Sequence, residues 1–145
     1  DGKYGLLGIT GKTITTAKYE EIYNSGYKEA EVIVKQNGKY GLIDENGKSK
    51  IKIKYDLIDC DGYYTEENGY KMAGYIVYIT TDDGYRYGYY DSEAVQVLDE
   101  EYNQITRLTQ IKGNDIFVYT FICIKYYMYD KKYNNTLCRF LLIWY

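Results

Sequence analysis

The chain has 145 residues, 18 of them basic and 21 acidic, with 22 tyrosines and neither histidine nor proline. This length suits one domain, and an apolar content of 46% excludes a disordered chain. Without histidine, no imidazole is available for a general base, a catalytic triad or a metal site. The net charge of −3 gives no electrostatic reason to bind nucleic acid, so we expect no nucleic-acid partner.

Three features bear on the cellular setting. The longest apolar run, Ile116–Ile124, has about half of the roughly 20 residues that a membrane-spanning helix requires, so no span is expected. The chain starts at Asp1, within a repeated motif and without an export leader, which we interpret as a fragment of a longer protein. Its localisation stays open, with the cell surface and secretion both compatible. The three cysteines are scattered along the chain: Cys60, Cys123 and Cys138. We therefore expect free thiols, and we expect neither a metal site nor a cofactor.

The sequence repeats itself. A motif with an anchor tyrosine and a following glycine occurs three times: Gly2-Lys3-Tyr4-Gly5-Leu6, Gly38-Lys39-Tyr40-Gly41-Leu42 and, more weakly, Tyr85-Arg86-Tyr87-Gly88-Tyr89. A motif with a landmark tyrosine follows each copy: Tyr19-Glu20-Glu21-Ile22, Tyr55-Asp56-Leu57-Ile58 and Tyr102-Asn103-Gln104-Ile105. In every copy 15 residues separate the two tyrosines (4 to 19, 40 to 55, 87 to 102). Equal spacing predicts one repeated structural unit, with these tyrosines and glycines as its framework.

The motifs divide the chain into four predicted units. Residues 1–36 form a first, N-terminally truncated repeat, residues 37–83 a second, and residues 84–122 an imperfect third. Residues 123–145 form a degenerate fourth repeat or an end cap, because Tyr127 replaces the glycine. Whether the tail at residues 131–145 is native sequence stays open.

Within a repeat the local patterns are typical of β-strands. Residues 31–35 and 40–44 are predicted strands, and Asn37-Gly38 between them suits the positive φ angles of a tight hairpin turn. In residues 50–55 lysines alternate with three other side chains, which are predicted to share one buried face: Ile51, Ile53 and Tyr55. We therefore predict an all-β fold of tandem antiparallel three-stranded repeats. Neighbouring repeats cover one another in an open β array, with a partial β-propeller as the alternative.

The motifs resemble the WG repeat family, also called KWG repeats, which occurs mainly in bacteria. Two segments carry the resemblance: Gly38-Lys39-Tyr40-Gly41-Leu42-Ile43-Asp44-Glu45-Asn46-Gly47-Lys48 and Tyr55-Asp56-Leu57-Ile58. The family's proline before the landmark is absent, and Thr16, Lys52 and Asp99 stand in its place. The resemblance implies a bacterial β-repeat protein used as a binding or scaffolding surface, without a shared enzymatic activity.

Tyrosines outside the framework are the candidate ligand contacts, because tyrosine offers both a stacking face and a hydroxyl. The binding candidates are Tyr63, Tyr64, Tyr89 and Tyr90, with Tyr78 as a further one. The framework tyrosines recur because the fold recurs, which favours packing over ligand contact for them. The glycines after the anchors are interpreted as room for an aromatic ring of a neighbouring repeat: Gly5, Gly41 and Gly88.

Charge is uneven along the chain. Residues 55–101 carry 2 basic and 12 acidic groups, a net charge of −10 (2 − 12), which suits a basic partner or serves solubility. Most acids fall in predicted turns or on solvated faces, so we expect no enzymatic activity. We predict a non-catalytic interaction or scaffold module with a protein partner. The alternative is a module that binds cell-wall glycan or another polysaccharide through exposed tyrosines.

Overall fold

The computed structural model describes residues 2–24, 30–111, 114–120, 126–130 and 135–137, with side chains as far as Ile105. These residues form fourteen β-strands and no helix. The strands are β1 (Tyr4–Leu7), β2 (Thr13–Tyr19), β3 (Glu21–Asn24), β4 (Glu31–Gln36), β5 (Lys39–Asp44), β6 (Ser49–Tyr55), β7 (Leu57–Thr65), β8 (Gly69–Thr81), β9 (Gly84–Asp91), β10 (Gln96–Tyr102), β11 (Gln104–Ile111), β12 (Asn114–Thr120), β13 (Tyr126–Asp130) and β14 (Asn135–Leu137).

Strands that follow one another in the chain pair antiparallel, and the pairing is interrupted at three points to give four sheets. The first sheet has two strands, β1 and β2, while the second (β3–β6), third (β7–β10) and fourth (β11–β14) have four each. Each sheet keeps the chain order of its strands, and no further strand of the described residues pairs with either edge. The prediction of an all-β, antiparallel, open array is confirmed, but each complete sheet contains four strands where three were predicted.

The additional strand comes from the landmark motif. The landmark tyrosines Tyr19, Tyr55 and Tyr102 end β2, β6 and β10, and the next strand begins two residues later in the following sheet. The boundaries between sequence repeats, at 36/37 and 83/84, fall in the β4–β5 and β8–β9 turns. The sequence repeat and the sheet are therefore out of phase by about two strands.

The equal spacing of anchor and landmark tyrosines has a direct structural cause. In every copy the two are cross-strand partners: Tyr4 with Tyr19, Tyr40 with Tyr55, and Tyr87 with Tyr102. Leu42 lies two residues after the anchor Tyr40 on β5, but its partner Ile51 lies four residues before Tyr55 on β6. Three residues of β6 thus face one residue of β5, which is a β-bulge. The same shift recurs in all three copies and forms without the family's proline.

The glycine after each anchor lies under this bulge. A Cβ built on Gly41 would lie 2.6 Å from Ile53 Cγ1, closer than real side chains approach. At Gly5 the same atom would lie 2.6 Å from the carbonyl oxygen of Thr15. The predicted room for a neighbouring aromatic ring is therefore wrong, because the adjacent strand of the same sheet occupies this space.

The bulge also corrects the predicted face of β6. Ile51 and Tyr55 lie in the core that faces the third sheet, whereas Ile53 packs with Val34 and Ile43 on the opposite side. Simple alternation places all three on one face, but the additional residues of the bulge turn Ile53 over Gly41. The prediction is therefore wrong for Ile53.

Cores between successive sheets hold the array together. The core between the first two sheets contains Tyr19, Val34 and Ile43. The core between the second and third contains Ile33, Leu42, Ile51, Tyr55, Ile58, Tyr75, Val77 and Tyr90. The core beyond it contains Tyr89, Leu98 and Ile105. Adjacent residues of one strand enter different cores, so the central strands are buried on both faces.

The lysine of the anchor motif and the acid of the landmark motif form an ion pair at each of the first two sheet boundaries. Lys39 Nζ lies 2.5 Å from Asp56 Oδ1, and Lys3 and Glu20 form the equivalent pair at 3.0 Å. Asp56 also accepts a hydrogen bond from the backbone N–H of Thr80 in the third sheet, at 2.7 Å. The hydrogen bonds from Lys39 and Thr80 lower the pKa of Asp56. These motif residues therefore connect one sheet to the next.

The predicted fourth repeat is described in part. Tyr126 pairs with Thr120 across β12 and β13, as the anchor Tyr40 pairs with Lys35 across β4 and β5. The backbone thus repeats the arrangement of the earlier anchors. Cys123 and the tail at residues 138–145 lie outside the described residues.

Candidate interaction surface

One hairpin projects beyond the third sheet. Strand β8 has 13 residues, and only Gly74–Thr81 pairs with β9. The pairing of β7 with β8 continues past that point, after a register shift, as far as Thr65 opposite Gly69. The outer part of this hairpin, residues 62–73, is therefore a two-stranded extension that we call the tyrosine ribbon.

An exposed aromatic pair lies on the tyrosine ribbon. Tyr64 and Tyr70 are direct cross-strand partners, with ring centroids 5.2 Å apart and ring planes at 66°. Their side chains are 63% and 73% exposed. Glu66 and Glu67 in the turn are exposed as well. Tyr63 is half-buried, and alternation along β7 directs it to the other face of the ribbon.

Two of the four tyrosine candidates lie inside the protein. Tyr89 and Tyr90 are 1% and 8% exposed and belong to different cores. The Tyr89 hydroxyl donates a hydrogen bond to Asp61 at 3.0 Å, and the Tyr90 hydroxyl oxygen lies 2.7 Å from that of Tyr55. The four candidates therefore do not line one groove, and Tyr64 alone among them is strongly exposed.

A second group of tyrosines lies at the opposite end of the third sheet. The ring of Tyr78 is 5.1 Å from that of Tyr85 and 5.5 Å from that of the anchor Tyr87. Tyr85 is exposed, whereas the other two are half-buried. Sequence reasoning named Tyr78 but missed Tyr70 and Tyr85, whose positions follow only from the pairing of β7, β8 and β9.

A comparison with protein-family models finds the family described as WG containing repeat twice, at residues 4–40 and 40–67. Residues 4–67 of the chain therefore carry the WG containing repeat. Both matches span an anchor strand, the bulged strand and its landmark, so the matched pattern is the one that builds the glycine-supported bulge. Neither a curated protein nor a solved structure gives a significant match.

The framework tyrosines differ in burial. The landmark residues Tyr19 and Tyr55 are fully buried, and Tyr102 is half-buried. The anchor Tyr40 is half-buried, and its hydroxyl donates a hydrogen bond to Glu21 at 3.1 Å. Tyr4, the anchor of the first WG repeat, is 57% exposed.

A polar network connects the second and third sheets. The Tyr55 hydroxyl hydrogen-bonds the hydroxyl of Tyr90 and donates to Glu100, and Lys54 Nζ lies 3.1 Å from the same carboxylate. Partial burial alone would raise the pKa of Glu100, but the hydrogen bonds from Tyr55 and Lys54 hold it below its usual value. These groups satisfy one another, so the network serves to connect sheets.

Metal-binding groups, the Cys60 thiol and membrane-spanning helices are the remaining features to consider in the described residues. No group of three or more histidine, cysteine, aspartate or glutamate side chains there is arranged to hold a metal ion. Burial raises the pKa of the half-buried Cys60 thiol to about 11, which keeps it protonated at neutral pH. No helix within these ranges has the length and apolar character to cross a membrane.

Proposed function

We propose that this chain is a non-catalytic interaction module whose tyrosine ribbon binds a protein partner. The observation that carries the proposal is the exposure of Tyr64 and Tyr70 side by side on a projecting hairpin. Tyrosine is enriched among the residues that dominate binding energy in protein interfaces. Its ring buries a large area, and the loss of only two side-chain torsions keeps the entropic cost low.

The geometry of the ring pair favours a protein over a glycan. The two ring planes meet at 66°, so they do not form a common flat platform for a sugar ring. A tilted pair instead offers a ring face and a ring edge to a side chain that packs between them. Polysaccharide binding is the alternative that the experiment below must separate.

Charge supports a basic partner. The segment 55–101 has a net charge of −10, and exposed Glu66 and Glu67 lie directly between Tyr64 and Tyr70 in the chain. A lysine or arginine side chain of the partner gains from these carboxylates and from cation–π contact with the tyrosine rings. Binding should therefore weaken as the salt concentration rises.

A non-catalytic role is supported by two carboxylates with lowered pKa values, because both are bound by structural partners. Asp56 is held by Lys39 and Thr80, and Glu100 by Tyr55 and Lys54. A catalytic acid or base must reach a substrate, whereas these groups are occupied by structural partners.

The experiment begins with selection of binders from a random peptide library displayed on phage, using the chain as bait. The affinity of the selected peptides is then measured for the wild type and for the Tyr64→Ser/Tyr70→Ser variant. We expect peptides rich in lysine or arginine and at least a tenfold loss of affinity in the variant. Tyr85→Ser is the matched control, because it removes an exposed tyrosine from the other end of the same sheet.

A parallel measurement tests the alternative. Retention of the chain on insoluble bacterial cell wall is compared for the same three proteins. Retention that the Tyr64→Ser/Tyr70→Ser variant loses, together with failure to select any peptide, would replace the protein-binding proposal by glycan binding.

A further inference from the structure

The first sheet is half of a complete one. Strands β1 and β2 correspond to β5 and β6, because Tyr4 pairs with Tyr19 and Leu6 with Thr15 in the register of Tyr40 with Tyr55 and Leu42 with Ile51. In the second sheet β4 covers the other edge of β5, whereas β1 is itself an edge strand. The two sheets therefore differ by one antiparallel hairpin, the counterpart of β3–β4.

The edge of β1 has backbone donors that face outward. The N–H of Leu6 donates to Thr15 Oγ1 and that of Gly8 to the carbonyl of Lys12, so both point toward β2. Because N–H groups alternate along a strand, those of Gly5 and Leu7 point to the open edge. An open edge of this kind is a template for an added strand.

Side-chain exposure agrees with an uncovered position. Leu7 is 70% exposed, while the equivalent Ile43, which packs with Val34 of β4 and with Tyr19 of the first sheet, is 2% exposed. Exposed Tyr4 is equivalent to Tyr40, whose ring lies 4.9 Å from Lys35 Nζ on the neighbouring strand. Among the described residues, the first sheet has no counterpart of the β4 side chains that cover Ile43 and Tyr40 in the second.

A cavity lies beside the same edge. It has a volume of about 150 Å³, lies between the first and second sheets, and is lined by Leu6, Leu7, Ile14, Ala30 and Val32, with Asp44 and Glu45. At the equivalent position between the second and third sheets, Ile33 of β4 is buried opposite Leu42. An apolar side chain on a strand added opposite Leu6 would enter this cavity.

We propose that the free edge of β1 is a strand-addition site for a β-hairpin of WG repeat type, supplied by another WG repeat. The hairpin pairs antiparallel with β1 in the register of β4 with β5. Its inner strand places an apolar residue opposite Leu6 and a lysine opposite Tyr4. Its outer strand supplies a carboxylate to the Tyr4 hydroxyl, as Glu21 does for Tyr40. This surface is separate from the tyrosine ribbon, so either proposal can fail alone.

The test uses a fluorescent synthetic peptide with the sequence of residues 20–37, which is the counterpart hairpin from this chain. Fluorescence anisotropy measures its binding to the intact wild type and to two variants. Leu7→Pro removes an outward N–H, and proline is tolerated on an edge strand, whereas Leu7→Val retains both the N–H and an apolar side chain. We expect saturable binding to the wild type and Leu7→Val, and at least tenfold weaker binding to Leu7→Pro.

A second peptide tests the register without altering the folded chain. Ile33→Asp in the peptide would place a carboxylate in this cavity, beside Asp44 and Glu45, and we expect it to abolish binding. Hydrogen exchange of the Gly5 and Leu7 amides should slow when the wild-type peptide binds. The proposal is overturned by no saturable binding of the wild-type peptide, by equal affinity for Leu7→Pro and Leu7→Val, or by unchanged exchange at these two amides.

Discussion

Gly41 and Ile53 lie in direct contact across β5 and β6, where a Cβ on the glycine would be 2.9 Å from the Cα of the isoleucine. The contact exists because the bulge in β6 brings its backbone over β5. It explains why an aromatic residue followed by glycine marks each repeat: the aromatic residue pairs with the landmark tyrosine, and the glycine admits the bulge.

Substitution of Gly41 should therefore be costly. Gly41→Ala should lower the free energy of unfolding by about 3 kcal/mol, the upper end of the range for overpacking, because the added methyl meets backbone as well as a side chain. Gly88→Ala should cost less, since one of its nearest neighbours is the flexible Glu100 side chain, at 3.1 Å. Urea unfolding of both variants checks this order, and a negligible loss for Gly41→Ala would contradict the close approach of the bulge as the cause.

Ala94 offers a stabilising substitution. It has a φ of 60°, in a turn position where the other repeats have Gly11 (81°) and Gly47 (78°). A left-handed conformation costs an L-residue about 1–2 kcal/mol, and glycine avoids this cost. Ala94→Gly should raise the free energy of unfolding by about 1 kcal/mol, as measured by thermal unfolding. Gly47→Ala is the reverse control and should be destabilising; a fall in stability for Ala94→Gly would refute the interpretation.

The ion pairs between sheets predict acid sensitivity. The folded-state pKa values of Asp56 and Glu20 are lowered, Asp56 mainly by the hydrogen bond from Lys39 and Glu20 mainly by that from the Gly38 N–H. Their contribution to stability is fully present above the unfolded-state pKa of about 4 and is lost as the pH falls through the lower folded-state values. The free energy of unfolding, measured from pH 7 to pH 3, should therefore fall below about pH 4.

A pair of variants assigns this acid effect. Asp56→Asn should lower the free energy of unfolding at pH 7. It should also make that free energy fall less steeply at acid pH, because it removes one of the groups whose pKa changes on folding. Asp59→Asn removes the same charge from an exposed position on β7 and serves as the control. Identical pH profiles for the two variants would count against the ion pair as the source.

The Tyr55 hydroxyl should contribute measurably to stability. Tyr55→Phe removes its hydrogen bonds to Tyr90 and Glu100 inside the core, which should cost about 1–3 kcal/mol. Tyr85→Phe, at an exposed position, should change stability by less than about 0.5 kcal/mol. Denaturant unfolding compares the two, and a neutral Tyr55→Phe would show that the network contributes nothing net.

Much of the fold could be predicted from sequence because strand and turn signals are local. The predicted strands at 31–35 and 40–44 are β4 and β5, and Asn37 and Gly38 have the expected positive φ values of 53° and 75°. The bulge could not be predicted, because alternation within one strand carries no information on its pairing register. Ile53 was misplaced for that reason.

The candidate site shows the same limit. Tyr64 could be selected by sequence, but its partner Tyr70 follows only from the register of β7 with β8. Tyr89 and Tyr90 are candidate ligand contacts by sequence, yet β9 is covered on both faces, so these two adjacent residues are both buried. A strand between two cores has no solvent face that alternation could identify.

Mapping a bound peptide on the isotopically labelled chain by NMR tests the central claim most directly. A peptide selected against the chain is titrated while backbone amide shifts are followed. The account predicts the largest changes in the tyrosine ribbon, at Tyr64, Tyr70 and the turn between them, with little change at Tyr85. Changes confined to the end of the sheet that carries Tyr85, or to β1, would contradict binding through the ribbon.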